Sequence, residues 1–213
     1  MGNTMFIFIA LGFIAFFFFI YWSVLQQLKE KLSQLVSVIS GVVSTKFRLG
    51  TVYAILEGSW MGERVKVELK KVMNPRHPID LFATVYGPHR WPFSLKIKPL
   101  SKNIFDVMGT SMKFFGNKYK LKMTDEKIEV VSNVNDENRI KNFLNADRLK
   151  IIHYIFENGF NLLEIDKDKN TNSYVKVGVE PSYWWKPEEE IKARVLEPTM
   201  IVEILQNLKN FIE

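Results

Sequence analysis

Arg64-Val-Lys-Val-Glu-Leu-Lys70 decides the fold class. Val65, Val67 and Leu69 alternate with Arg64, Lys66, Glu68 and Lys70, and a period of two places the apolar side chains on one face of a strand. A strand greasy on one side and charged on the other belongs to a sheet with one buried face, usually antiparallel. The same alternation recurs downstream. Ile79, Leu81, Ala83 and Val85 alternate with Asp80, Thr84 and Tyr86, and Phe93, Leu95 and Ile97 alternate with Ser94, Lys96 and Lys98. The breaks between these runs are rich in turn formers: Gly58-Ser-Trp-Met-Gly62, Asn74-Pro-Arg-His-Pro78 and Gly87-Pro-His-Arg-Trp-Pro92. From Thr51 onward the pattern predicts four strands in a meander.

Further along, weaker strands are expected near Tyr119–Met123 and Lys127–Ser132. Asp136 is placed to cap a short helix carrying Ile140, Phe143 and Leu144. Asp147 is placed to cap a second, with Leu149, Ile152 and Phe156, stopped by Gly159. Leu162–Ile165 and Tyr174–Val179 read as a hairpin around the polar run 166–172. A last helix begins near Pro198 and sets Ile201, Ile204, Leu205, Leu208 and Ile212 on one face. Strands, then helices, a hairpin and a C-terminal amphipathic helix make an α+β fold, and no repeat or low-complexity linker divides it.

The N-terminus is of another kind. Phe6 to Leu25 holds no charged residue, and seven phenylalanines fall between Phe6 and Phe19. About twenty helical residues rise roughly 30 Å, the thickness of a bilayer's hydrocarbon core. Tyr21 and Trp22 stand at its far end, where amphipathic rings prefer the headgroup level. A cleaved signal peptide wants a basic leader and a small-residue cleavage site, and neither is present. Phe6 occupies the position where a myristoylation motif wants Ser or Thr. A buried core helix would rarely be this long and rich in Phe. The stretch therefore reads as a transmembrane helix over residues 5–25, contacting the lipid bilayer. Gly12 is followed by Phe16 four residues on, so the span lacks the small-xxx-small spacing of a tight helix dimer.

Lys and Arg are absent before the span, whereas Lys29, Lys31, Lys46 and Arg48 follow it. The positive-inside rule puts the N-terminus outside and the C-terminal domain in the cytoplasm of a cell-membrane, single-pass protein. The formal net charge of +6 is concentrated near the membrane: residues 1–100 hold 12 Lys and Arg against 5 Asp and Glu. Such a half suits an anionic lipid surface. Past the span, Leu25, Leu28, Leu32, Leu35, Ile39 and Val42 follow a 3,4 spacing, which predicts a juxtamembrane helix over 26–45 ahead of a soluble α+β domain at 46–213. That seam admits weak homo-oligomerisation, packing on the following domain, or lying in the membrane interface.

Most enzyme chemistries find no footing. The three histidines, His77, His89 and His153, form no metal-binding pair, and His153 falls on an amphipathic helix where a core-edge role is expected. Asp166-Lys-Asp-Lys-Asn-Thr-Asn172 imitates the start of a calcium loop, yet Thr171 and Val177 replace its glycine and bidentate glutamate. No phosphate loop, dinucleotide fingerprint or nucleophile elbow occurs; Gly109–Gly116 lacks the spacing. With no cysteine there is neither disulfide nor thiolate ligand. Glu188-Glu-Glu190 resembles the acidic first turn of a helix. No cofactor and no nucleic-acid partner is expected. In a meander alternate turns share an end, so Trp60 and Met61 should lie near His89, Arg90 and Trp91. That aromatic and basic group suits a protein partner or an anionic lipid surface, unless the two Trp fold back over the sheet edge. Tyr183, Trp184 and Trp185 are further candidates for covering an edge.

Four segments in order, Gly58-Ser-Trp-Met-Gly-Glu-Arg-Val-Lys-Val67, Trp91-Pro-Phe-Ser-Leu-Lys-Ile-Lys-Pro99, Phe115-Gly-Asn117 leading to Val130-Val-Ser-Asn133, and Asn142-Phe-Leu-Asn-Ala-Asp-Arg-Leu149, form a pattern. Over about residues 50–180 it resembles soluble domains of uncharacterised prokaryotic single-pass membrane-anchored proteins. The resemblance implies a prokaryotic membrane protein and carries no catalytic residues. The expected function is non-enzymatic: a membrane protein whose soluble domain binds a partner or a membrane surface. Lipid or small-ligand binding within the domain, and a carboxylate-based hydrolase, stand as alternatives.

Overall fold

The computed structural model describes residues 2–48, 50–74, 79–87, 93–100, 119–167, 173–179 and 197–212. Nine strands form one antiparallel sheet: β1 (Ser40–Arg48), β2 (Thr51–Trp60), β3 (Glu63–Val72), β4 (Ile79–Gly87), β5 (Leu95–Pro99), β6 (Tyr119–Met123), β7 (Ile128–Ser132), β8 (Leu162–Lys167) and β9 (Ser173–Gly178). Their order across the sheet is β1-β2-β3-β4-β9-β8-β5-β7-β6. Among the described residues four helices accompany them: α1 (Gly2–Ser33), α2 (Glu137–Phe143), α3 (Ala146–Glu157) and α4 (Pro198–Ile212). The α+β class read from the alternation is the class the chain adopts.

One face of the sheet is the core. Val52, Ala54 and Leu56 of β2, Val65, Val67 and Leu69 of β3, Leu81, Ala83 and Val85 of β4, and Val175 and Val177 of β9 are all buried there. The second half of α1 covers β1 and β2, and α4 covers β4 and β9 with α3 packed outside it. On α4 the buried residues are those of the expected stripe, joined by Met200 and Phe211. Arg148 binds the helices together: its Nε donates to the carbonyl of Phe211 at 3.2 Å and a terminal nitrogen to that of Phe143 at 3.1 Å. Its guanidinium lies 4.4 Å from the Phe143 ring centroid. Burial drives its pKa below the ordinary arginine value, yet two helix-end carbonyls, the usual seats of partial negative charge, receive it.

Three expectations need correcting. First, the juxtamembrane helix predicted over 26–45 ends at Ser33; turns follow, and Ser40 opens β1. The β-branched run Val42-Val-Ser-Thr45 favours a strand, and Gly41 opposite Gly58 lets the backbones of β1 and β2 approach where any Cβ would strike the partner's main chain. Second, the meander holds only for β1 to β4. The β8–β9 hairpin inserts between β4 and β5, because the alternation of β9 matches β4 from far along the chain. Third, Asn145 rather than Asp147 caps α3, accepting from the Arg148 amide at 3.0 Å. Asp136 does cap α2, accepting from the Arg139 amide at 2.9 Å.

Helix α1 has two halves. Ile9, Leu11, Phe13, Ile14 and Phe16–Phe19 are exposed to what surrounds the protein. Leu28 and Leu32 on the same unbroken helix are buried in the sheet core, with Leu35 and Ile39 completing the row. Counting only the described residues, the helix is long and apolar enough over Leu11–Ser33 to cross a membrane. The turns holding Leu28 and Leu32 lie under the sheet, so the length available to lipid ends near Tyr21 and Trp22.

Candidate functional site in the open face of the sheet

The opposite face carries the polar half of every alternating strand, and register arranges it in rows. Arg64, Tyr86, Tyr174 and Asp166 stand side by side across β3, β4, β9 and β8. The next row is Glu57, Lys66, Thr84, Lys176, Glu164 and Lys96, and the third is Glu68, Phe82 and Gly178. Gly178 has no side chain at the place the Phe82 ring occupies; a Cβ there would collide with it. Phe82 thus lies flat along the face instead of standing up from it. The result is a concavity of about 370 Å³ lined by Lys66, Glu68, Phe82, Thr84, Tyr86, Lys167, Tyr174 and Lys176.

The walls are held by contacts along and between strands. Lys66 Nζ lies 2.8 Å from Glu68 Oε2, and Lys176 Nζ lies 3.5 Å from Glu164 Oε2. The hydroxyl of Tyr174 donates to Glu164 Oε1 at 2.9 Å. The Lys176 ammonium sits 4.7 Å above the Phe82 ring, and the Arg64 guanidinium 4.6 Å above that of Tyr86. Tyr86 and Tyr174 meet edge to face at 6.2 Å. Burial disfavours the Tyr174 phenolate, the charge and hydrogen bond of Glu164 disfavour it further, and its pKa rises well above the tyrosine range. For Lys66, burial works against the ammonium, but the hydrogen bond and charge of Glu68, with Tyr86 and Glu57, outweigh it and raise its pKa.

Chemically the groove combines paired charges with aromatic faces. Glu68 and Glu164 at the groove are engaged by lysine or tyrosine, and no histidine is among its described lining residues. No cluster of metal-ligating side chains occurs among the described residues. Three lysines, two tyrosines and a phenylalanine instead present donors and aromatic faces together.

The groove is not the site expected from sequence. Of the aromatic and basic group, Trp60 is buried at the end of β2 and Met61 is 60% exposed, while His89, Arg90 and Trp91 lie outside the described residues. Met61 and Gly62 both have positive φ (50° and 86°), the two-residue hairpin geometry that matches strand twist. Gly87, the last residue of β4, lies at this same end, since Arg64 pairs with Tyr86. Trp60, however, is a core cap rather than a surface anchor. The seam is likewise spent inside the chain: Leu28, Leu32, Leu35 and Ile39 are buried and Leu25 packs against the core. Only Val42 is left, 74% exposed on the edge strand β1. His153 is half-exposed, with Nε2 3.1 Å from Glu126 Oε2, and Asp166 accepts from the Ser94 hydroxyl at 2.6 Å. Residues 183–185, 188–190 and 109–116, with His77, lie outside the described residues.

Lys66, Thr84 and Tyr86 are visible in the sequence as the polar members of their strands, and Tyr174 and Lys176 as part of a hairpin arm. What was missing was the β4–β9 pairing that gathers them. No protein-family model, no curated protein and no solved structure matches the chain, so function is argued from geometry.

Proposed function

We propose that this protein is a single-pass, membrane-anchored, non-enzymatic binding module whose open-face groove receives a partner protein on the cytoplasmic side. One observation carries the reading: the helix whose Leu11–Phe19 stretch is exposed also places Leu28 and Leu32 in the core. An apolar helix built into the domain's own core is ill suited to being a disposable leader, and its exposed half needs a bilayer to cover it. Lys29 and Lys31, both exposed just after the span, support the cytoplasmic placement.

The groove supports binding over catalysis. Aromatic rings and paired charges on a rigid sheet resemble the make-up of protein interfaces, where Tyr, Phe and desolvated cations hold most of the affinity. Lysines outnumber carboxylates in the lining, which favours a partner with acidic and aromatic side chains. The groove also lies on the flank of the sheet and not at its membrane-facing end, so a protein fits it better than a bilayer does.

A photo-crosslinking amino acid at Tyr86, in the full-length chain in native membranes, tests the proposal. A discrete adduct is expected from Tyr86 and none from exposed Glu157 on α3. Lys66→Glu with Lys176→Glu should reduce the adduct at least tenfold while the anchor still fractionates with membranes. An adduct that survives both reversals, or equal labelling from Glu157, would overturn the assignment of the groove.

A further inference from the structure

The same register that builds the groove fixes which end of the sheet meets the bilayer. Chain continuity joins α1 to β1 at Ser40, and at the other end the rings of Tyr21 and Phe47 pack edge to face at 4.9 Å. Helix and strand therefore run side by side in opposite directions, and β1 climbs back toward the span. Tyr21 closes the apolar run at the level where aromatic rings meet headgroups. Phe47 is at that height, and Arg48 and the turn at Gly50 lie one to three residues further toward the bilayer, at roughly 3.3 Å each.

The composition of this tip fits the position. Phe47 is 58% exposed despite its contact with Tyr21. Lys46 and Arg48 are both exposed and have no acidic partner among the described residues. The row of Lys46 runs through Tyr53 and Lys70 to Asp80, a carboxylate that is 1% exposed and held by Lys70 at 3.0 Å. At the far end of β2, roughly 30 Å away, stand Trp60 and Met61. The end of the sheet first expected to touch lipid is thus the end that faces away.

We propose that the β1–β2 hairpin tip is a second membrane contact, with Phe47 at the interface and Lys46 and Arg48 on the phosphates of anionic lipid headgroups. The inference rests on α1 being a membrane anchor. Its consequence is orientation: a domain held by one helix can pivot, whereas a helix plus a hairpin tip fixes the sheet upright and turns the groove sideways. Each cation near an anionic surface favours contact by roughly fivefold.

The chain has no cysteine, so single nitroxide labels can be placed on the full-length protein at Thr51, Met61 and Phe16, one at a time. In phosphatidylcholine vesicles containing phosphatidylserine, the Thr51 label is expected to lose access to a water-soluble nickel chelate severalfold relative to Met61. The double reversal Lys46→Glu, Arg48→Glu should restore its access. A Thr51 label as wet as Met61, or one indifferent to the reversal, overturns the hairpin contact, provided the Phe16 label still reports hydrocarbon depth. A Phe16 label that reports water sinks the anchor itself, and the hairpin contact with it. Unchanged spectra at Met61 in the reversed variant show that the fold is kept.

Discussion

Tyr174 shows how one residue in the groove records its surroundings. Its phenol is half-buried, donates to Glu164, and faces the charge of Asp166 and the ring of Tyr86. The neutral form is therefore favoured in the folded state, which raises the folded pKa above the unfolded value of about 10. By linkage the stabilisation is complete below that value and is lost as pH rises through the folded pKa. Ultraviolet titration should show one of the seven tyrosines ionising late, together with the onset of alkaline unfolding. Tyr174→Phe should remove the late phase; if the phase persists, the environment drawn for Tyr174 is wrong. Residues of this kind were legible only in part. The hairpin reading places Tyr174 at the start of a strand, but the residues that flank it come from strands nearly 90 and 10 positions away, and no local pattern encodes such neighbours.

At the scale of elements, α1 and β1 hold the chief lesson. The 3,4 spacing from Leu25 to Ile39 was real and marked a buried row, but spacing alone does not say what buries it. The chain's own sheet does, and the row continues through turns after the helix has ended at Ser33. Strand β1 was missed because its neighbour in sequence was read as more helix, while its β-branched run and the glycine pair with β2 spoke for a strand. Full burial of Leu28, Leu32, Leu35 and Ile39 contributes roughly 6–12 kcal/mol at about 1.5–3 kcal/mol each. That is comparable with the whole stability of an ordinary domain, about 5–15 kcal/mol. A chain beginning at Lys46 loses this row and most of β1, and is expected to lack a cooperative thermal transition. One beginning at Ser23 discards the exposed apolar half yet keeps the row, and should unfold cooperatively in calorimetry without detergent. Cooperative folding of the shorter chain would show that α1 is not part of the domain.

For the whole molecule, charge and topology have to agree. The sheet and its single core were readable because alternation separates two faces wherever it occurs. The site was not, because it arises only when distant strands are brought into register. The proposed topology is intermediate: it rests on a few flanking lysines, Lys29 and Lys31, which are exposed and make no part of the core. Since cations resist crossing, Lys29 and Lys31 are expected to keep the domain on the side where it is made. Protease added to sealed vesicles should then digest the domain only when the cytoplasmic face is outward. Moving the charges tests the cause without touching the fold. Asn3→Lys and Thr4→Lys, combined with Lys29→Gln and Lys31→Gln, remove the bias, and a substantial inverted fraction is expected. The folded domain resists translocation, so inversion should grow when the same changes are made in a chain carrying a destabilising Leu32→Ala, a substitution costing about 2–5 kcal/mol. A domain found wholly on the extracytoplasmic side in the unaltered protein would reverse the orientation, and the groove would then have to meet its partner outside the cell.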